Sequence, residues 1–530
     1  MMDEEKILSP VPADAADILP QKPRFRPVET LFAWLLLVFG YFFLRVNPMW
    51  DHLPFAAALL AVSIYAFTFL VLLRGRCRFG IVTRLVLLSA ALALLAMLMW
   101  DNPFHAFLCF TYLIAAYAYL VCTVTGNSLE GAWSDLLGAD LLRAWFVFPF
   151  SSFVRLFPAL VPSKGKGVGR TLLKLLLGLA LAVIPTCIAF ALLSYDERFI
   201  ALTEKLFRVE AEDPTGDILR FLFGIPVAMY VFGLCHSSVV GRPNKEAEAE
   251  RIRDRAEKRR VLPLMSACAA VIPLLALYVI YFVSQLDYFT SGFALQLPYE
   301  LGYSDLTTGY ADYAREGFFE LCAVAALNFC VLLALSRYVR RGFEKLRRAL
   351  CVVLALFTLV LIATAVSKLW LYVTRFGLTP DRYHAAWFML LLTALFLITL
   401  VKQFRPQFKA VPLAMAVTVV LFLLLVLPGS NRLIARYNVD RFLSGRAQHL
   451  DVSYFPSLGD DAIPEMLRLR NAADRPDAQN RPNEDQCWGL DCRLTRRAGY
   501  KRGFWDAAIS SRRAERLLAQ AGYMKEESPP

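Results

Sequence analysis

Ala349–Tyr372, ALCVVLALFTLVLIATAVSKLWLY, carries one charge, Lys368. At 1.5 Å per residue a helix of this length crosses the roughly 30 Å hydrocarbon core of a bilayer. Leu, Val, Ala and Phe fill it without period-2 alternation, so it reads as a membrane helix and not as a barrel strand. Comparable runs lie to either side: Leu31–Val46, Leu53–Leu73, Leu85–Trp100, Phe104–Thr125, Leu172–Leu193, Ile218–Val240, Leu262–Val283, Gly317–Leu335, Ala385–Val401 and Phe408–Leu427. A buried soluble helix can imitate one such run; eleven in series predict an all-α polytopic bundle. The first run follows a polar start too long for a cleaved signal peptide.

Composition agrees. The chain of 530 residues is 57% hydrophobic and 19% charged, with a mean hydropathy of +0.48; a soluble domain is about a quarter charged. The net charge of +12 would suit a nucleic-acid binder if the cations formed one patch. They do not. Counting Arg45 and Lys409 with the loops they border, the N-terminal segment and the even-numbered loops hold 30 Lys/Arg, against seven in the odd-numbered loops. Such alternation is the positive-inside signal. It predicts a cytoplasmic N-terminal segment (residues 1–30), a transmembrane domain (31–427) and an extracytoplasmic, mostly helical tail (428–530). The partner of the charge is the lipid bilayer, and nucleic-acid binding is set aside.

Two segments between spans are distinctive. Residues 136–161 are apolar, but Arg143 and Arg155 flank a core interrupted by Pro149. They read as an interfacial amphipathic helix pair. Residues 244–260, NKEAEAERIRDRAEKRR, read as a solvated cytoplasmic helix with opposite charges at helical spacing. A sharper reading makes such basic loops a site for anionic lipid headgroups, which the many acids weaken.

At the mouth of the eighth run, TTGYADYAREGFFELCAVAALNF places Asp312, Arg315, Glu316 and Glu320 close together, with Asn328 about two turns deeper. Ionisable groups at a membrane entrance are costly unless paired or wet, so they are functional candidates; the competing reading is a salt-bridged helix cap. His105 and His236 read as packing residues, and Lys368 is expected to snorkel. No metal-ligand spacing, nucleophile elbow or cofactor pattern appears.

In the tail, Asp460 and Asp461 of GDDAIPEMLRL read as helix-start residues. Trp505–Ala521 reads as an amphipathic helix marked by Trp505, Ile509, Leu517 and Leu518. Cys487 and Cys492 in CWGLDC suit a local disulfide if the tail lies outside.

YADYAREGFFEL, FGLTPDRYHAAWFM, NRLIARYNVDRFLSG and LGDDAIPEMLRL occur in this order. Together they resemble a bacterial multi-pass membrane family, domain of unknown function 4173, related to group 4153, over roughly Leu31–Leu469. The resemblance implies a bacterial cytoplasmic-membrane protein and supplies no activity or cofactor. It marks Tyr310, Tyr313, Arg315, Glu316, Gly317, Glu320 and Asn328, then Thr379, Arg382 and Tyr383. In the tail it marks Asn431, Arg436, Tyr437, Asn438, Asp440, Asp460, Asp461 and Pro464. By the predicted topology these lie at the external face, roofed by the tail.

Three functions compete. A transporter-like or other non-enzymatic envelope protein requires a cavity running inward from the mouth. A membrane-embedded enzyme on a lipid-linked or glycan substrate requires a groove open to the outer leaflet, with the carboxylates as acid and base and Arg315 and Arg382 holding phosphate. A regulatory or scaffolding protein requires a tail that binds a partner.

Overall fold

In the computed structural model the described residues are 25, 27–46, 54–72, 79–160, 214–240, 245–284, 318–340, 342, 344–448, 450–452, 454–474, 480–500, 502–503 and 507–523. Among them no β-strand occurs, and the chain is an all-α polytopic membrane protein. Its helices are α1 (Pro27–Arg45), α2 (Pro54–Leu72), α3 (Ile81–Met99), α4 (Pro103–Val124), α5 (Leu137–Leu142), α6 (Phe148–Ser151), α7 (Leu156–Leu160), α8 (Pro214–Val240), α9 (Lys245–Lys258), α10 (Leu264–Ser284), α11 (Phe318–Tyr338), α12 (Glu344–Phe376), α13 (Pro380–Phe404) and α14 (Ala410–Val426). The tail adds α15 (Ser430–Leu443), α16 (Ile463–Asn471), α17 (Glu484–Ala498) and α18 (Ile509–Gln520).

Eight helices are long and apolar enough to cross a membrane, and two bent pairs raise the number to ten at most. The expected run Leu172–Leu193 lies outside the described residues, so eleven spans exceed what these residues supply. α1, α2, α4, α8 and α13 each begin on proline. Proline fits there because the first turn has no use for its missing N–H. Lys368, expected to snorkel, is instead buried two turns inside α12.

The described residues divide into two units. In the unit drawn from Met1–Tyr41 and Ser152–Gly233, α1 and α8 cross at Gly40 and Gly224. A Cβ on either glycine would overlap the backbone of the other helix, so only glycine permits this approach. Tyr41 Oη donates to Asp217 Oδ1 at 2.8 Å beside the crossing.

In the unit drawn from Phe42–Ser151 and Leu234–Pro530, α3, α4, α10–α14 and the tail pack together. Small residues let the helices approach: Ala90, Ala93 and Ala96 on α3, Ala106 and Cys109 on α4, Cys351 and Ala355 on α12 are all buried. Deep among α10, α11 and α12, Tyr278 Oη donates to Asn328 Oδ1 at 2.6 Å. Asn328 Nδ2 in turn donates to Thr358 Oγ1 at 2.9 Å.

Polar contacts sort the helix ends of this unit into two sets. At one end Lys402 meets Asp135 (3.0 Å), Asn127 donates to Ser238 O (2.6 Å) and Arg143 meets Glu248 (2.9 Å). Leu262 and Val339 form an isolated bridge there. The α3–α4 turn, the α12–α13 turn and the tail share the opposite end. Among the described loops, the fourth, sixth, eighth and tenth thus share one end and the third, the ninth and the tail the other, as the Lys/Arg alternation groups them.

The tail has its own core, including Val439, Phe442, Phe455, Leu458, Met466 and Leu490. α14 and α15 meet at a 58° bend. The helix expected at Trp505–Ala521 is α18, with Leu518 buried, Ile509 half-exposed and Trp505 outside the described residues. Asp460 and Asp461 do not cap α16, whose N-cap is Ala462 without a side-chain bond. Both sit in the 3-10 turn Phe455–Ala462, and their carboxylates turn to another task.

Candidate functional site

Trp100, Asp101 and Asn102 form the short turn between α3 and α4, and each side chain ties it to the tail end. Trp100 Nε1 donates to Leu427 O at 2.8 Å, fixing the end of α14. Gly429 there has φ +71°, and a Cβ would stand 2.7 Å from the Trp100 ring. Asn102 Oδ1 caps α4 by accepting from His105 N at 3.0 Å. Its Nδ2 faces Ser430 Oγ and Asn431 Oδ1, both at 3.3 Å.

Asp101 is the hub. Arg502 grips it with two bonds, Nη1 to Oδ1 at 2.7 Å and Nη2 to Oδ2 at 3.0 Å. Asp460 N donates to Asp101 Oδ2 at 3.1 Å, and Asp101 N donates to Asp461 Oδ1 at 3.0 Å. Arg497 forks onto Asp460 at 2.5 and 2.7 Å. Gly459, φ +64°, makes room, because a Cβ would lie 2.9 Å from Asp101 Oδ2. Asp101, Asp460 and Asp461 are 4%, 3% and 2% exposed, so three carboxylates share a nearly dry volume with two guanidiniums.

Their environments drive the carboxyls apart. Burial works to raise Asp460, but the Arg497 bonds and the Arg502 charge outweigh it and hold the group below the ordinary carboxylate range. For Asp461 burial dominates. Helped by the charges of Asp101 and Asp460 and opposed by the Ser510 hydroxyl and the Asp101 N–H, it pushes the carboxyl up to about 7. Asp461 Oδ2 is buried without a hydrogen-bond partner.

Below the turn, His105 Nε2 and His384 Nε2 stand 3.0 Å apart. His105 is buried, and its Nδ1 has no hydrogen-bond partner. Far from being an isolated packing residue, His105 faces a second imidazole from α13, with the Phe104 ring edge-on to that imidazole at 4.9 Å. A polar column, buried as far as His105, thus runs from Asp461 through Asp101, Asn102 and Asn431 to His105 and the partly buried His384.

The sequence-derived shortlist separates into distinct groups. Asp312, Arg315 and Glu316 lie outside the described residues; Glu320 is on α11, but its side chain is also outside them. Asn328 is fully buried and bonded within the bundle. Arg382 closes the α12–α13 turn, stacking 3.9 Å over the Tyr372 ring and donating to Phe376 O and Gly377 O. Asn438 pairs with both backbone groups of Leu378 (2.8 and 2.7 Å), and Arg441 reaches Val373 O and Thr374 O (2.9 and 2.6 Å), so α15 seals the end of α12. Arg436 meets Asp440 at 3.6 Å, and Asp440 meets Arg468 at 2.5 Å, both at the surface. Exposed pairs of this kind contribute about 0–1 kcal/mol. Asp440, Arg441, Arg446, Arg468 and Tyr437 line a cavity of about 610 Å³.

Of the shortlisted residues whose side chains are described, Asn431, Asp460 and Asp461 join the column. Asp101, Asn102, His384, Arg497 and Arg502 were missed, because each acquires its meaning from a partner remote in sequence. Cys487 and Cys492 are free thiols, not a disulfide. Both lie on α17, where a five-residue step turns about 140° around the axis and points them apart.

This architecture defines a polytopic all-α membrane protein whose helical tail is clamped to one end of its bundle. The chain matches the model of the family described as Domain of unknown function (DUF4153) over residues 87–469, and it belongs to that family. No curated protein and no solved structure matches it.

Proposed function

We propose that the protein is a transporter-like, non-enzymatic component of a bacterial cell envelope, with its polar site at the outer mouth of the bundle. The polar column beneath the tail carries this reading. Ionisable groups at the ends of membrane helices are expensive and mark ion or proton pathways by default, and buried His105 faces the partly buried His384 at 3.0 Å. The Lys/Arg alternation supports a cytoplasmic-membrane location with the N-terminal segment inside and the tail outside. The motif resemblance to domain of unknown function 4173 supports the bacterial source. Anionic lipid at the basic loops around α9 belongs to the same reading.

The test is charge movement in proteoliposomes on a supported membrane after a proton-concentration jump. The wild type should give a transient current that His384→Ala and His105→Ala each sharply reduce. A wild type without charge movement removes the transporter-like reading. Reporter fusions at Asn244 and Asn431 test orientation, and a cytoplasmic signal at Asn431 would remove the outer-mouth site.

The arginine-lined cavity at Asp440 favours a second reading, an enzyme acting on a lipid-linked or glycan substrate, since Arg441, Arg446 and Arg468 suit phosphate and Asp440 suits proton transfer. An unchanged envelope lipid and glycan profile in Asp440→Asn cells would count against it.

A further inference from the structure

We propose that Asp461 is a proton-binding site beneath the tail, and that its occupancy sets how firmly the tail holds the α3–α4 turn. The inference rests on this junction alone and is independent of what, if anything, crosses the membrane.

Charge and geometry both lead to it. Asp101 faces Asp461 from the α3–α4 turn, Asp460 precedes it, Arg497 comes from α17, and Arg502 from the segment beyond. Glu515 of α18 sits against Arg497 at 3.4 Å, and Glu465, one turn along in α16, is held by Arg468 at 3.2 Å. Arg502 pairs with Asp101 and reaches Asp460 at 3.7 Å, and Arg497 pairs with Asp460. Among the described residues no cation pairs with the third carboxylate, Asp461. Asp461 Oδ1 accepts the Asp101 N–H, while Oδ2 is buried without a hydrogen-bond partner.

An unpaired carboxylate in such a place is driven to its neutral form. A metal ion would need several converging oxygens, and those of Asp101 and Asp460 are already engaged by guanidinium and amide N–H groups. One open oxygen takes one proton: the carboxylate binds H⁺ to give the acid, and nothing else is consumed. Burial, with the neighbouring charges, accordingly moves the group up to about 7 from its ordinary 3.8.

The sign follows. With the tail docked, Asp461 keeps its proton up to about pH 7; undocked and wet, it releases it near its ordinary value of 3.8. Between those limits the docked form binds the extra proton. Each unit of rising pH therefore lowers the docked-to-undocked ratio about tenfold, and the loss levels off above the docked value. Docking is firmest in mild acid and loosened, not abolished, at alkaline pH, because both arginine pairs persist.

Hydrogen exchange on the full-length protein in lipid nanodiscs tests this, read on peptides from α17 and α18 at about pH 5.5 and about pH 7.5 and corrected for intrinsic exchange. Wild-type protection should fall at least about tenfold, while Asp461→Asn should hold the acid-side value at both pH values. Flat wild-type protection, or a variant with the wild-type slope, overturns the proposal. Should Asp461→Asn fail to fold, infrared difference spectra of wild type labelled at its aspartates decide. A protonated-carboxyl band should vanish as pH rises through about 7, and its absence overturns the proposal.

Discussion

Asp101 and Arg502, 401 residues apart in sequence, meet in a two-bond ion pair of 2.7 and 3.0 Å that fastens the tail to the first turn of the described bundle it covers. Asp101 is almost fully buried and Arg502 largely so. Removing one partner of a buried pair leaves an uncompensated charge and costs about 3–5 kcal/mol. Arg502→Gln should therefore release the tail to proteolysis, with the first cuts in α17 and α18. Asp101→Asn with Arg502→Gln should be milder than Arg502→Gln alone. Equal losses in the two would show that the pair is not coupled.

Gly429 and Gly126 share φ +71°, but only Gly429 faces an obstacle, the Trp100 ring; nothing lies within 4 Å of a Cβ at Gly126. Alanine at either position carries the left-handed backbone cost of about 1–2 kcal/mol. Gly429→Ala should lower the thermal midpoint clearly more than Gly126→Ala, because the ring must also move. Thermal scans of the two variants in one detergent make the comparison.

Asn328 joins Tyr278 and Thr358 at 2.6 and 2.9 Å and is fully buried. Hydrogen bonds between membrane helices average about 0.6 kcal/mol and reach about 1.7. Asn328→Leu should thus cost on the order of 1–2 kcal/mol in stability and leave any charge movement intact. A silenced but stable Asn328→Leu protein would return this residue to the functional site.

Asp460 and Asp461 bound tail docking from opposite sides. Asp460 is lowered below its ordinary 3.8, so its contribution is present above that value and is lost as pH falls through the docked value. Asp461 is raised to about 7, so its contribution is complete in acid and lost as pH rises from 3.8 to about 7. Proteolytic release of the tail should be slowest in mild acid and faster on both sides; a monotonic profile would contradict this pair of shifts.

The thiols of Cys487 and Cys492 should alkylate independently, and Cys492, the more exposed, should react faster. Burial raises the Cys487 thiol and slows it further. Non-reducing peptide mapping should find both cysteines unlinked.

The helical membrane fold was legible because its signal is local. An apolar run such as Ala349–Tyr372 must satisfy its own backbone groups in lipid, and helix is how one segment does so. The grouping of the described loops was legible for the same reason, since Lys and Arg counts need no knowledge of contacts. Tertiary structure decided the site. Asp460 and Asp461 looked like helix-start residues because capping is a short-range pattern, yet their carboxylates were claimed by Asp101, Arg497 and Arg502. His105 looked like a packing residue until α13 brought His384 to within 3.0 Å. Burial and charge balance belong to the assembled volume: three aspartates against two arginines is a fact about a place, drawn from distant parts of the chain, and no window of sequence contains it.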